Sequence, residues 1–547
     1  MSTAVPYNTP YQAFAAAAAR TPDAPLLIAP ASAALPYAPD GFRISYGALR
    51  SEVERLRAEY AVAGYGRGAR VALILENRPA FFHHWLALNA LGVSIVPINP
   101  DLRPDELSFQ LGVAQADLLV ATANNMPLAR AAALGRARLI DDQSAIPACQ
   151  TQVVAQDAIA SGECALLFTS GSTGKPKGCM LSNRYFMLMA DWYLAQGGVA
   201  TLREGREINL TPLPMFHINA LGCSAVATMM IGGAVVPLDR FHASRWWQSV
   251  ADSGATIVHC LGVIPAVLLQ LPVSEAERRH CVRFAFAPAV DVRHRATFEA
   301  RYGIPIVDAW SMTETGGAAC TGTAREPAGF PARCIGRPTP GMEYRLVNEA
   351  GAEVAPGEPG EFLVRARGDD PRAGFFSGYL GDPAATEEAW QGGWFHTGDY
   401  VSAGADGLLY FFDRKKSIVR RSGENIAVLE VESILQRLAA VQATAVTPVP
   451  DELRGEEVFA FVVKSGAAAG PDAELAAALT TASAQSLAYH KLPAYVAFVD
   501  SLPLSPTKKL ARGEIKTLAA QAVRDGKAFN LRALKASLRK QPARTPA

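Results

Sequence analysis

Between Leu166 and Gly178 the chain reads LLFTSGSTGKPKG, and this stretch narrows the choices for everything around it. The apolar run Ala165 to Phe168 reads as a buried strand. It breaks into Thr169, Ser170, Gly171, Ser172, Thr173 and Gly174, then Lys175, Pro176, Lys177 and Gly178. Glycines let a backbone turn tightly and bring its N–H groups up to an anion. The hydroxyls add donors, and Lys175 and Lys177 add charge suited to a polyphosphate. The familiar loop of Gly, four residues and Gly-Lys-Ser/Thr opens a helix, and Pro176 directly after Lys175 forbids that start. A flexible Ser/Gly linker is the plain alternative, but a linker has no reason to follow an apolar strand or to flank a proline with lysines.

A chain of 547 residues exceeds what one core supports, so at least two domains are expected. Half of it is hydrophobic and 19% is charged, as in an ordinary globular enzyme, and a net charge of +1 gives no case for nucleic-acid binding. The eight cysteines all precede residue 335 and form no CxxC pair, which argues against a disulfide framework or a zinc site and for reduced thiols in the cytoplasm. The first twenty residues lack a charged start followed by an apolar core, so no secretory signal is read. No apolar run reaches the length that crosses a bilayer.

Helical spacing is expected over Tyr11 to Arg20, over Ile44 to Gly64 (with Leu49, Val53, Leu56 and Tyr60 on one face) and over Pro79 to Leu91. Strands are expected at Arg70 to Leu75, Ser94 to Pro97 and Leu118 to Val120, and the alternation indicates parallel α/β layers. Further on, Leu210 to Leu221 (LTPLPMFHINAL) reads as a strand leading into a loop and helix, with His217 and Asn219 as its polar residues. Arg283 to Val290 (RFAFAPAV) reads as a strand and turn. In Asp308 to Gly317 (DAWSMTETGG), a threonine beside a carboxylate suits one hydroxyl on a phosphate and one oxygen ligand for Mg²⁺.

In order along the chain, from about Tyr46 to Lys516, these stretches resemble the ANL superfamily of adenylate-forming enzymes. That superfamily includes acyl-CoA synthetases, nonribosomal-peptide adenylation domains and luciferases. The resemblance implies an α/β fold, with a large N-terminal domain of layered α/β subdomains and a smaller, mobile α+β C-terminal domain. It implies that the Thr169–Lys177 loop cradles the ATP phosphates, that Ala287 and Pro288 belong to an adenine-binding turn, and that Asp308, Trp310 and Ser311 line the nucleotide. Thr313 would meet the α-phosphate and Glu314 would ligate Mg²⁺; His217 would line the carboxylate pocket. Asp399, in GWFHTGD, would accept from the ribose hydroxyls, a task suited to a carboxylate, and Arg414 falls at a ribose-binding position. Lys416 falls at the hinge, and Arg420, Ser422, Gly423 and Glu424 at the loop bracketing the coenzyme A pantetheine. In LSPTKKLAR the family's catalytic lysine aligns with Lys509, Lys508 taking the usual glycine position and Ser311 likewise replacing a glycine.

The expected division is residues 1–412 for ATP and carboxylate binding, 413–525 for the lid carrying Lys509, and 526–547 as a basic tail, frayed or disordered. Gly316, Gly317 and Ala318 are expected to leave space for a substrate tail. The resemblance is strongest to crotonobetaine/carnitine-CoA ligases and fatty-acyl-CoA ligases, implying AMP-forming acyl-CoA synthesis from a small carboxylic acid, ATP and coenzyme A. The alternative is an adenylating ligase that loads a carrier protein or an amine, and a homodimer is compatible with either. The expected pocket segments carry no second charged group, so an uncharged acyl tail is expected.

Overall fold

The computed structural model describes residues 7–154, 160–169, 176–261, 263–290, 292–326, 330–331, 333–414, 418–421, 424–451, 454–487, 489–504 and 510–538. The chain is mixed α/β, with a large N-terminal part and a small C-terminal one.

Two sheets of the N-terminal part are mainly parallel. One runs Ile306–Val307, Phe284–Phe286, Ile257–His259, Ile208–Thr211, Ala234–Pro237, Pro25–Ala29 and Phe42–Ser45, parallel up to its last strand. The other runs Gly378–Tyr379, Lys177–Ser182, Glu163–Thr169, Ser94–Pro97, Arg70–Ile74, Leu118–Ala121 and Arg138–Asp141, antiparallel only at its first two joins. Alternate residues of these strands serve different cores. Val71 and Leu73 face a large shared core while Ala72 and Ile74 face a smaller outer one, and Phe284 and Phe286 are divided from Ala285 in the same way. Burial on both faces is why these strands read as unbroken apolar runs.

Helices at the expected places cover the shared core. Tyr46–Val62 buries Leu49, Val53, Leu56 and Tyr60 and is capped by the Ser45 hydroxyl, which accepts from Ala48 N–H. Asn183–Leu194 is capped in the same way by Ser182, and it buries Tyr185 and Tyr193.

Parallel layers do not extend through the whole N-terminal part. Ala309–Trp310, Thr321–Gly322, Cys334–Pro338, Leu409–Arg414, Phe395–Ala403, Gly360–Ala366 and Met342–Val347 form an entirely antiparallel sheet. Its Trp310, Phe362, Phe395 and Leu409 nevertheless enter the shared core.

The C-terminal sheet contains Glu424–Ala427, Ile418–Arg421, Gly455–Lys464, Tyr495–Phe498 and Phe529–Asn530, with Val441–Asp451 also pairing with Gly455–Lys464. The change from one sheet to the next falls between Arg414 and Ile418. The expectation of a frayed tail from residue 526 is corrected over 526–538. Phe529–Asn530 pairs with Tyr495–Phe498, Leu531 is buried, and the helix Arg532–Leu538 buries Lys535. A lysine can be buried here because Glu457 supplies its counter-charge.

Candidate functional site

The edge of the second sheet gathers the phosphate-binding candidates. Thr169 ends one strand directly opposite Lys177, and Tyr379 pairs with Cys179 one strand further out. Into this edge comes Glu314, which is 7% exposed. Its Oε1 accepts from the Tyr379 hydroxyl at 3.1 Å, from the Thr169 hydroxyl at 3.4 Å and from the Cys179 thiol at 3.8 Å. Among the described residues all three contacts go to Oε1, none goes to Oε2, and no cation pairs with the carboxylate. The Lys177 ammonium lies 4.7 Å from the centre of the Tyr379 ring, within cation–π range. Burial, reinforced by the Glu314 charge, pushes both the Cys179 thiol and the Tyr379 hydroxyl well above their ordinary pKa values, so both remain neutral donors.

The loop carrying Thr313 and Glu314 is held from behind. Tyr185 donates its hydroxyl to the Thr313 carbonyl at 2.8 Å, and Phe376 N–H donates to the Glu314 carbonyl at 2.9 Å. Gly316 has φ +51°, and a Cβ there would stand 2.3 Å from the Tyr185 ring. A Cβ on Gly317 would stand 2.3 Å from the Leu188 carbonyl oxygen. The expectation of open space for a substrate tail beside these glycines is therefore corrected: the helix Asn183–Leu194 fills it.

Ala287 is fully buried at the end of its strand, and Ala289, beyond Pro288, has φ +62°. That backbone is fixed by Ala289 N–H, which donates to Asp308 Oδ1 at 3.1 Å. Ala309 N–H meets the same oxygen at 2.8 Å, and Arg295 approaches Oδ2 at 3.4 Å. Asp308 thus shapes the expected adenine turn. Burial raises its pKa to about 6, against the lowering pull of Arg295. Trp310 donates its indole N–H to Asp399 Oδ2 at 2.8 Å and packs edge-on against Phe362 at 4.8 Å. Asp399 is 3% exposed and stands in register with Arg414 on the neighbouring strand. Ser311, half-buried, follows Trp310 on this loop.

His217 is half-buried, 4.7 Å ring to ring from Phe216, on the loop entering the π-helix Asn219–Val226. Two residues on, Asn219 Oδ1 meets Nδ1 of His259 at 2.9 Å. His259 is fully buried, with Ser224 Oγ at 2.8 Å from Nδ1 and Tyr193 Oη at 2.7 Å from Nε2. Burial lowers its pKa to about 3, so it is a neutral hydrogen-bonding hub.

The structure thus assembles Thr169, Lys177 and Glu314, with Thr313 beside them, then Ala287, Pro288 and Asp308, then Trp310 and Asp399. Ser170, Gly171, Ser172, Thr173, Gly174, Lys175, Lys416, Ser422, Gly423 and Lys509 lie outside the described residues. For Arg414, Arg420 and Glu424 the backbone alone is described, with Arg420 opposite Asn425 and Arg421 opposite Glu424 in a hairpin. Sequence reading missed Tyr379, Cys179 and His259. A signal for the first existed in the strand-like Gly378-Tyr379 ahead of a helix start with Asp382 as cap and Pro383 as its first residue, though nothing in it pointed to Glu314.

The AMP-binding enzyme family model matches residues 14–380, and the AMP-binding enzyme C-terminal domain model matches residues 430–509. The chain belongs to the AMP-binding enzyme family. It is 33% identical over 524 residues to the sulfoacetate–CoA ligase of Cupriavidus necator, covering 92% of this chain and 97% of the relative. It is 29% identical over 500 residues to the crotonobetaine/carnitine–CoA ligase of Citrobacter koseri, covering 87% and 93%. Among solved structures, an anthranilate CoA ligase in complex with anthranoyl-AMP superposes with TM-score 0.79 at 21% identity, over 94% of this chain and 98% of that one. The o-succinylbenzoate CoA synthetase of Bacillus subtilis, solved with its acyl-adenylate, gives 0.76 at 24%, over 92% and 97%. These bear out the expected superfamily, its fold, and the class of AMP-forming acid–thiol ligase.

Proposed function

We propose that this chain joins a small carboxylic acid to coenzyme A through an acyl-adenylate. The observation that carries the reading is the Glu314 carboxylate, buried at a phosphate-loop edge with its contacts gathered on one oxygen. A lone carboxylate beside hydroxyl donors suits Mg²⁺, which takes few protein ligands and fills its shell from phosphates and water. Glu314 would hold that ion, which when bound supplies charge neutralisation at the phosphate oxygens. Thr169, Lys177, Thr313 and the Ser170–Lys175 loop would hold the phosphates, the Ala287–Pro288 turn the adenine, and Asp399 with Arg414 the ribose.

In the first step a carboxylate oxygen attacks the α-phosphorus, the bond to the β-phosphate oxygen breaks, and pyrophosphate leaves. In-line transfer needs placement and charge stabilisation, not a covalent enzyme group. Lys509 supplies the cation between carboxylate and α-phosphate. In the second step the thiol sulfur attacks the acyl carbon, its proton passes to solvent, and AMP leaves. The C-terminal domain turns about Lys416 between the steps, replacing the Lys509 face by the Arg420–Glu424 face. His217 lines the acyl pocket, and the acid carries an uncharged tail. The compartment is the cytoplasm, in keeping with eight free cysteines; among the described residues no helix is long and apolar enough to cross a membrane.

Carboxylate-dependent ATP–pyrophosphate exchange over a panel of acids, with coenzyme A then added, tests the reading. Exchange followed by CoA-dependent AMP release supports it. Exchange indifferent to CoA moves the acceptor to a carrier protein or an amine, and absence of exchange with every acid refutes it. Turnover confined to acids with a second charge refutes the uncharged tail.

A further inference from the structure

Neither step of the reaction uses the C-terminal helix Arg532–Leu538, yet among the described residues its Lys535 belongs to the most deeply buried charged cluster of the small domain. Lys535, Glu457 and Arg421 are 2%, 1% and 4% exposed. Lys535 Nζ donates to Glu457 Oε2 at 2.7 Å, and Arg421 Nε donates to Glu457 Oε1 at 2.6 Å. One carboxylate is thus clasped between two cations, each on its own oxygen. Arg454 stands further off, 3.7 Å from Oε1, and is partly exposed. Glu457 stands on the long strand Gly455–Lys464 in the middle of the sheet. Lys535 is seated by its own element: Leu531 N–H donates to the Ala494 carbonyl at 2.8 Å, and Leu531 is buried among Val458, Val496 and Leu492.

Arg421 is not an arbitrary endpoint. It ends the strand Ile418–Arg421, pairs with Glu424 across the hairpin, and pairs with Gly455 on the other side. Its guanidinium lies 5.6 Å from the centre of the Tyr489 ring. Glu457 therefore ties the C-terminal helix to the two flanks of the hairpin, Ile418–Arg421 and Glu424–Ala427. The cluster has two buried cations for one buried anion, and burial lowers the pKa of Lys535 to about 8, with Glu457 opposing. Such an arrangement is poor as a stability device, since apolar residues of similar volume do as well or better, but it fixes geometry.

We propose that the helix Arg532–Leu538 is a strut for the thiol-acceptor face, with Lys535 acting through Glu457 on Arg421 as a positioning residue for the thioester step. The functional half of this rests on the reading of the Arg420–Glu424 segment given above. Lys535 touches no substrate. It sets where the hairpin stands when coenzyme A arrives, and it has no part in the adenylation step, whose groups lie on other elements.

The test uses the full chain with Lys535→Met and Lys535→Arg. Methionine keeps the aliphatic volume, and Glu457 retains Arg421 and Arg454 as counter-charges, so the fold is expected to survive. Hydrogen exchange followed by mass spectrometry over Ile418–Arg421 and Glu424–Ala427 reports the strut without any substrate. ATP–pyrophosphate exchange, and CoA-dependent consumption of the acyl-adenylate of the acid giving the strongest exchange, report the two steps. In Lys535→Met, loss of one charged hydrogen bond should speed hairpin amide exchange and slow acyl transfer by about tenfold each, with pyrophosphate exchange within about twofold. Lys535→Arg should restore most of both. Unchanged amide exchange in Lys535→Met overturns the strut. Equal loss of both steps, parallel to a fall in melting temperature, overturns the positioning role and leaves an ordinary stabilising contact. If the wild-type chain transfers nothing to CoA while Lys535→Met loosens the hairpin, the acceptor reading falls and the strut stands.

Discussion

Tyr379→Phe removes one oxygen from the site and almost nothing else. The hydroxyl donates to Glu314 Oε1 at 3.1 Å, while the ring face that meets the Lys177 ammonium at 4.7 Å survives in phenylalanine. The other donors to that oxygen are weaker: Thr169 is at 3.4 Å, and the Cys179 thiol is at 3.8 Å. A hydrogen bond to a charged group contributes about 1.5–3 kcal/mol, and the half-buried position of Tyr379 favours the lower end. If Glu314 is held in place for the phosphates, about 1.5 kcal/mol is about a tenfold fall in kcat/KM for carboxylate-dependent ATP–pyrophosphate exchange. The Mg²⁺ concentration needed for half-maximal exchange should rise with it, because a carboxylate free to turn is a poorer ligand. Tyr379→Leu also removes the ring and should cost a further two- to tenfold, the size of an additional partly exposed cation–π contact. CoA-dependent consumption of supplied acyl-adenylate should change little in Tyr379→Phe, since pyrophosphate has already departed. Exchange within twofold of wild type, at an unaltered Mg²⁺ requirement, would refute the reasoning, because the one strong donor to Glu314 would then be irrelevant to the step that needs it.

Three further outcomes follow from the same geometry. Trp310→Phe keeps the apolar packing on Phe362 but deprives Asp399 of its indole donor, so the KM for ATP in the exchange assay should rise about tenfold; an unchanged KM separates this pair from nucleotide binding. Gly316→Ala places a Cβ 2.3 Å from the Tyr185 ring at φ +51°, and should lower stability by about 2 kcal/mol or more while displacing Thr313; a chain as stable and active as wild type contradicts it. Asp308 has a folded-state pKa near 6, above the ordinary value near 4, so the folded state holds its proton more tightly and stability from this group is lost as pH rises from about 4 to 6. Asp308→Asn, which cannot titrate, should therefore gain on wild type in urea unfolding between pH 4.5 and 7, by at most about 3 kcal/mol, and a constant gap across that range would count against the shift.

What could be read in advance divides along physical lines. The parallel strands at Arg70–Ile74, Ser94–Pro97 and Leu118–Ala121 are buried on both faces and announce themselves as apolar runs, and the helix Tyr46–Val62 carries its stripe and its cap within seventeen residues. Thr169, Lys177, Glu314 and Asp399 stood out as candidates through residue type, local order and, for Asp399, the family resemblance, and the structure sets Thr169 against Glu314 and Trp310 against Asp399. Tyr379 was not, since it reaches Glu314 only through the register of a two-residue strand beside Cys179. His259 was missed for a similar reason: its partners come from three separate segments, Tyr193 from one helix, Asn209 from a strand, and Asn219 with Ser224 from the π-helix. The glycines after Glu314 were misread as room for a substrate because a sequence shows that a side chain is missing without showing what takes its place. The final segment was misread because its composition is basic, and composition cannot show that Lys535 is paired with Glu457 inside the domain.

The donors around Glu314 share a property that determines how the adenylation step should respond to pH. A carboxylate that waits for a cation is best held by groups that donate hydrogen bonds without adding charge, since a protein cation would compete with the metal and a second anion would repel the phosphates. Tyr379 and Cys179 satisfy this only while protonated, and burial next to Glu314 raises both pKa values well above their ordinary range. An ordinary cysteine would be half ionised near pH 8.5 and place a second negative charge against Glu314. Here burial and the neighbouring carboxylate keep both the Cys179 thiol and the Tyr379 hydroxyl protonated from about pH 6 to 9. The pH profile of pyrophosphate exchange over that span should accordingly owe nothing to these two groups, and Tyr379→Phe should lower the whole curve without changing its shape. A wild-type limb between pH 8 and 9 that disappears in Cys179→Ala would show a thiolate forming beside Glu314, and with it that the neutral-donor account of this carboxylate is wrong.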